Sequence, residues 1–199
     1  KKNFLKKKFF GITEYLANKF KIKNIGMLIY NKSLSVCPIT THIPIRFVAK
    51  KINRKLITQK INLINKFYIK NFNFKPKIAI TGLNPHCESI SNTNEDKQIL
   101  IPSIKLLKKK KNKVYGPFPT DTIFLKKNRI KYNVILGMYH DQVLTPLKTL
   151  YEYDAINITL GLPFIRISPD HGPNESMLGK NKSNPLSLIK SIKFLDTLK

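Results

Sequence analysis

The chain holds only four histidines, and each follows an apolar run of strand length. Asn133-Val-Ile-Leu-Gly-Met-Tyr-His140 ends in His140, Ser35-Val-Cys-Pro-Ile-Thr-Thr-His42 in His42, and Lys77-Ile-Ala-Ile-Thr-Gly-Leu-Asn-Pro-His86 in His86. His171 follows Phe164-Ile-Arg-Ile-Ser-Pro-Asp170 in the same way. Ligands of open α/β sheets gather where strands end. Neutral imidazole is the commonest metal ligand, and three of them with an open position make a catalytic site. A lone histidine at a strand end is more often a hydrogen-bonded structural residue, and the spacing is no local metal motif. From the residues alone both readings stand, and His171 is read as ordering its own turn.

Several elements must position these imidazoles. Val134, Ile135, Leu136 and Met138 have the look of a strand buried on both faces. Ile25 to Tyr30 and Leu34 to Ile39 flank Asn31-Lys-Ser33, a hairpin signal. Thr13 to Phe20 has a short helical spacing. Residues 44–69 predict one or two amphipathic helices, with Pro44 near the start. Strands are expected at 78–80, 155–160 and 164–167, a strand entering a Pro-stiffened loop over 114–121, a polar loop at 88–98, and a helix over 99–107 followed by the charged run Lys108 to Lys111. Asn184 should cap a last helix with Pro185 at its first position and Leu188, Ile192 and Leu195 as its buried stripe. Strands alternating with helices predict an α/β domain.

Composition narrows the class. At 199 residues and 42% hydrophobic content, a packed core is expected. No apolar run is long enough to span a bilayer. Two cysteines, Cys37 and Cys87, make no disulfide scaffold and fit a reducing, cytoplasmic setting. The first residues lack the apolar core of a signal peptide. The net charge of +26 could mark a nucleic-acid surface. Yet only four of the 37 basic residues are Arg, the residue suited to bidentate recognition. Lys is scattered over every segment, so compositional drift is preferred and nucleic acid is not the expected partner.

The wording of the segments goes further. Gly82-Leu-Asn-Pro-His86, Gly116-Pro-Phe-Pro-Thr-Asp-Thr-Ile-Phe124, Met138-Tyr-His-Asp-Gln142 and Asn157-Ile-Thr-Leu-Gly-Leu-Pro-Phe-Ile-Arg166 resemble the 4-hydroxythreonine-4-phosphate dehydrogenase family of vitamin B6 biosynthesis. So do Thr40-Thr-His-Ile-Pro44 and Asp170-His-Gly172. The resemblance runs in order over nearly the whole chain. It implies an α/β/α sandwich of the isocitrate/isopropylmalate dehydrogenase-like type lacking its N-terminal part. Residues 1–199 would then be the C-terminal portion of a two-subdomain α/β dehydrogenase, in a homodimer with active sites shared between subunits.

Carried over by motif, the resemblance implies His42, His86 and His140 as ligands of a divalent metal (Zn, Mg or Co), drawn from both subunits. It implies Thr13, Lys148, Asn157 and Arg166 as contacts to a small phosphorylated substrate, and NAD or NADP as cofactor. The implied reaction oxidises and decarboxylates 4-phosphooxy-L-threonine to 3-amino-2-oxopropyl phosphate. Asp141 and Asp121 are candidates to support a ligating imidazole; Asp141 could equally cap a helix. No general base is assigned. Cys87 beside His86 is read as a neutral replacement rather than a thiolate ligand.

Three departures from the family pattern stand out. The family's Gly-Glu-Pro and Gly-Ile-Gly-Pro type segments are absent. Its Gly-His-Thr-Glu motif stands here as Gly11-Ile12-Thr13-Glu14, so an imidazole has become an isoleucine. The loop after His86, glycine-rich in the family, reads Cys87-Glu-Ser-Ile-Ser-Asn-Thr-Asn94, and any positive φ there would be strained. Beside the dehydrogenase stand two alternatives: an inactive remnant that keeps the fold, and a basic nucleic-acid-binding protein.

Overall fold

The computed structural model describes residues 12–88, 93–172 and 175–198. After α1 (Ile12–Lys19) come the hairpin strands β1 (Gly26–Tyr30) and β2 (Ser35–Pro38). A single 3-10 turn leads to α2 (Val48–Lys51) and the long α3 (Arg54–Phe72). Then follow β3 (Ile78–Thr81), α4 (Ile101–Lys109), β4 (Val114–Phe118) and the short α5 (Thr120–Ile123) and α6 (Lys126–Arg129). The chain continues through β5 (Val134–Gly137), α7 (His140–Tyr151), β6 (Ile156–Leu160), β7 (Arg166–Pro169) and α8 (Leu186–Asp196).

All seven strands form one sheet in the order β4-β3-β5-β2-β1-β6-β7. β3 is parallel to β4 and β5, and β5 is parallel to β2, so these four share a carboxyl edge. β1 is antiparallel to β2 and to β6, and β7 is antiparallel to β6. His42, His86 and His140 therefore leave the sheet on one edge. His171 does not share it: β7 runs the other way, so His171 emerges on the opposite edge, where its Nδ1 lies 2.9 Å from the Gly172 carbonyl. This corrects the uniform placement that the four strand endings suggested, and fits a turn-ordering role.

The period-two alternation of the strands feeds two cores. Leu28, Ile78, Ile80, Val134, Leu136 and Ile158 face α3 and α4. Ile29, Val36, Ala79 and Ile135 face α7, which contributes Val143, Leu144 and Leu147. Helices on both faces give the α/β/α layering expected. On α3, Ile57, Ile61, Ile64 and Tyr68 fall on one face and are almost wholly buried. Asn53 caps its start, with Oδ1 accepting the Leu56 N–H at 2.9 Å, and Asn73 ends it in the left-handed conformation. Burying each such large side chain is worth roughly 1.5–3 kcal/mol.

Two expectations need correction. The polar stretch over 88–98 is not all loop, since a π-helical turn (Asp96–Leu100) leads straight into α4. The buried side of α8 is not Leu188, Ile192 and Leu195, which are 49%, 55% and 48% exposed. Ser187, Ser191 and Phe194 are buried instead. Both sets have helical spacing, one residue apart, so periodicity could not choose between them. Hydrogen bonds decide it: the Ser187 hydroxyl donates to the Ala155 carbonyl and accepts the Asp170 N–H at 2.8 Å. Asn184 does cap this helix, its Oδ1 accepting the Leu186 N–H at 2.9 Å, with Pro185 just outside the first helical residue.

Candidate functional site

Two of the three imidazoles are brought together by backbone. Beyond β2 the chain stays zipped to the exit of β5. The Ile39 N–H donates to the Gly137 carbonyl (2.8 Å), and the Thr40 N–H and hydroxyl both donate to the Met138 carbonyl (3.2 and 2.7 Å). The rings of His42 and His140 end 5.9 Å apart between centroids. Gly137 permits the approach of α7, because a Cβ there would stand 2.3 Å from Val143 Cγ1.

Each ring has its Nδ1 beside a carboxylate. Glu14, from α1, lies 3.3 Å from His42, and Asp141 lies 2.9 Å from His140. Asp141 thus sits in the first turn of α7, a helix that starts at His140 itself. The His42 hydrogen bond holds the Glu14 carboxyl below its ordinary value, and Glu14 in turn raises the His42 imidazole. Among the described residues neither Nε2 makes a bond, and a carboxylate on Nδ1 is the arrangement that orients an imidazole as a metal ligand. Asp121 reaches none of the imidazoles through any bond among the described residues.

Below these rings a polar groove runs between α7 and the β6–β7 pair. Asn157 pairs with Ser168 and Thr159 with Arg166, so all four side chains lie on the same sheet face, the one that carries α7. Arg166 donates from Nη1 to the hydroxyls of Thr13 (3.0 Å) and Thr159 (2.7 Å). Burial lowers the guanidinium's pKa, opposed by the nearby Glu14. Lys148 Nζ pairs with the Asp170 carboxylate at 2.8 Å and also donates to the Asp170 carbonyl. Burial pushes the Asp170 carboxyl up, and Lys148 pulls it back. Two buried acceptors in this region, Glu14 Oε2 and Asn157 Oδ1, find no donor among the described residues. A buried unpaired acceptor costs about 1–3 kcal/mol, which a ligand's N–H or O–H would recover.

His86 stands apart, exposed on the loop after β3. Among the described residues no three His, Cys, Asp or Glu side chains gather closely enough to hold a metal ion. The loop is held from behind by the fully buried Asp96, which accepts the backbone N–H groups of Leu83 (2.9 Å) and Asn84 (3.0 Å). His86 and Cys87 both have positive φ, 56° and 61°. Within the loop expected to be strained, Cys87 has this conformation, as does His86 just before it, and residues 89–92 lie outside the described residues. Burial first, then the Asp96 charge, pushes the Cys87 thiol up to about 11. Replacing Cys87 with Gly should stabilise the protein by about 1 kcal/mol in chemical denaturation. A loss of stability would show that the thiol's packing against Gly82 outweighs the backbone strain.

Sequence reasoning singled out Thr13, His42, His140, Lys148, Asn157 and Arg166, and the fold brings them to this edge and groove. It missed Glu14, although Glu14 adjoins Thr13 in the motif, and Asp170, whose position before His171 was the available signal. It also missed Gln142. Buried at the root of α7, Gln142 accepts from Thr81 Oγ1 (2.9 Å) and the Met138 N–H (2.7 Å). It donates to the Gly82 carbonyl (2.8 Å) and Thr120 Oγ1 (3.0 Å).

Known proteins share this arrangement. The sequence profile of a family described as pyridoxal phosphate biosynthetic protein PdxA matches residues 1–195. A 4-hydroxythreonine-4-phosphate dehydrogenase from Sulfurihydrogenibium sp. (strain YO3AOP1) is 43% identical over 192 residues, which are 95% of this chain and 59% of the relative. A D-threonate 4-phosphate dehydrogenase from Pectobacterium atrosepticum is 39% identical over 184 residues, 92% of this chain and 56% of the relative. The crystal structure of 4-hydroxythreonine-4-phosphate dehydrogenase from Klebsiella pneumoniae superimposes with a TM-score of 0.82 at 34% identity, covering 96% of this chain and 59% of that one. The chain therefore spans about three fifths of the length of the relatives it matches. With the family profile, these relatives and the superimposed fold each running across nearly all of its residues, the chain belongs to the PdxA family of pyridoxal phosphate biosynthetic proteins.

Proposed function

We propose that this chain forms the substrate and metal half of an NAD(P)-linked dehydrogenase that oxidises and decarboxylates 4-phosphooxy-L-threonine to 3-amino-2-oxopropyl phosphate. The observation that carries the reading is the gathering of the paired imidazoles with Arg166, which bonds Thr13 and Thr159, while Glu14 beside Thr13 bonds His42. His42 and His140 fit two places of a divalent-metal ligand set, because both are accessible and both have Nδ1 held by a carboxylate. His86 would complete the set from a second copy of the chain in a homodimer. When bound, the metal would acidify the substrate's secondary hydroxyl and the nicotinamide would take its hydride.

The chain's own residues do the binding and orienting. Arg166 keeps N–H groups beyond those given to Thr13 and Thr159, and its planar fork suits a phosphate or carboxylate. Lys148 adds a second cation, held in place by Asp170. Glu14 Oε2 and Asn157 Oδ1 supply unmatched acceptors for the substrate's ammonium and hydroxyl groups. Ile12, exposed at the start of α1, offers no hydrogen bond.

Incubation with 4-phosphooxy-L-threonine, NAD or NADP and a divalent metal should yield NADH or NADPH, with D-threonate 4-phosphate as the rival substrate. No reduced cofactor from either would sink the dehydrogenase reading. Metal bound without turnover would then favour the remnant, to which the Ile12 change and the strained His86–Cys87 pair point. A smaller effect is expected for Glu14→Gln. With its contact at 3.3 Å and half exposed, metal affinity should fall by about ten-fold, the low end for such supporting carboxylates. Unchanged affinity in equilibrium dialysis would remove Glu14 from the ligand-orienting role. The nucleic-acid alternative gains nothing from the fold, since exposed lysines are shared among α3, α4, α6 and α8.

A further inference from the structure

At the sheet edge opposite the paired imidazoles lies a cavity of about 570 Å³. Tyr30 ends β1 and Ile156 starts β6, and both strands present these ends on the amino edge of the parallel strands. The pocket is bounded by these residues and by the end of α3 and the last turns of α8. Its floor is aromatic. Tyr30 stacks on Phe72 at 5.6 Å and 15° between planes, and Phe194 lies 4.9 Å from Tyr30. Its rim is cationic: Lys32, Lys190 and Lys193 stand against one acidic residue, Asp154. Asp154 is already paired with Lys190 at 2.9 Å, which leaves Lys32 and Lys193 uncompensated by the pocket's own residues.

We infer that this cavity is a second ligand site, separate from the groove, for a planar aromatic ring bearing an anionic group such as phosphate, carboxylate or sulfonate. Three features converge on that class. A flat ring can extend the existing stack, where offset and edge-to-face contacts add to apolar burial. The volume lies within the range of small-molecule pockets. Two ammonium groups of the lining, without an ion-pair partner among the described residues, supply the charge partner for an anion anchored at the ring's edge. An uncharged aromatic would forgo the lysines, and inorganic phosphate would forgo the floor.

Titration calorimetry with 1-naphthyl phosphate tests this on the whole chain. Saturable 1:1 binding is expected, with 1-naphthol and inorganic phosphate each at least about ten-fold weaker. The Lys32→Glu/Lys193→Glu variant should weaken binding by at least about ten-fold. Lys105→Glu/Lys109→Glu makes the same charge change on the exposed side of α4, and should alter affinity less than about two-fold. Lys148→Ala should leave it unchanged. Lys32, Lys193, Lys105 and Lys109 are exposed, so these variants keep the core intact, whereas Lys148 pairs with the buried Asp170, so Lys148→Ala is compared only where its circular dichroism and melting match the parent chain. Equal weakening by both charge-reversed pairs would mean general attraction to a chain of net charge +26, and overturn the site. Loss of binding in Lys148→Ala would place the ligand in the groove instead, and absence of saturable binding would remove the site altogether.

Discussion

Two inactive variants should restore one another when mixed. His42→Ala and His86→Ala are each expected to lose metal and to lower turnover by at least about a thousand-fold, since a metal's charge stabilisation is worth several kcal/mol. If His42 and His140 serve one site and His86 serves the site of the other copy, a mixed dimer keeps one intact set. The set made by His42 and His140 of the His86→Ala chain and His86 of the His42→Ala chain is whole, and the other set lacks two ligands. Random reassociation of equal amounts gives half mixed dimers, so about a quarter of wild-type metal content and activity should return. The geometry behind this is unequal. His42 and His140 are drawn together by the zipped exits of β2 and β5, whereas His86 is exposed on the loop after β3 that Asp96 anchors, and the three form no metal-sized group among the described residues. Full inactivity of the mixture would mean that one chain supplies all three ligands, or that none of them binds metal. The metal content separates those two outcomes without needing turnover. His42→Ala mixed with His140→Ala is the internal control and should give no recovery, because both ligands belong to the same side.

What could be read from the sequence follows from which interactions are local. The β1–β2 hairpin, the doubly buried β5 and the face of α3 are each written in consecutive residues, by turn chemistry or by period. Strand direction is not local. Nothing in Phe164 to Asp170 reveals that β7 runs against the parallel strands, so His171 looked like its three counterparts. The buried side of α8 also depends on a partner distant in sequence, the Ala155 carbonyl, which Ser187 reaches and Leu188 cannot. At the site the motif wording pointed to the residues proposed to touch a ligand but not to those that hold them. Glu14, Asp96 and Asp170 act through contacts 28, 13 and 22 residues away, and polar residues of that kind carry no periodicity. The strain at His86 and Cys87 is the exception. A loop without glycine was visible in the sequence, and positive φ is found at its first residue, Cys87, and at His86 before it.

Gln142→Leu should be the most damaging single change to the framework. Leucine matches the volume of glutamine, so the cost isolates the hydrogen bonds. The substitution strands the Met138 N–H and the Gly82 carbonyl, and removes a partner from the hydroxyls of Thr81 and Thr120. The amide lies in the interior, 7% exposed, so water cannot readily replace it. At about 1–3 kcal/mol for each stranded backbone group, a loss of about 3–5 kcal/mol is expected in urea denaturation. That is a large part of the 5–15 kcal/mol typical of a domain. Gln142→Glu separates the two halves of the network. It keeps the acceptor for Met138 and Thr81 but not the donor for Gly82 and Thr120, so an intermediate loss is expected at neutral pH. The effect should reach the site as well. Gln142 ties the exits of β3 and β5 to the loop after β4, and His140 lies two residues before it on α7. Metal affinity measured in conditions where the variant remains folded should therefore fall along with stability. A variant that loses less than about 1 kcal/mol would show that packing of Val143 of α7 against Gly137 holds this edge, and that the amide is only filling space.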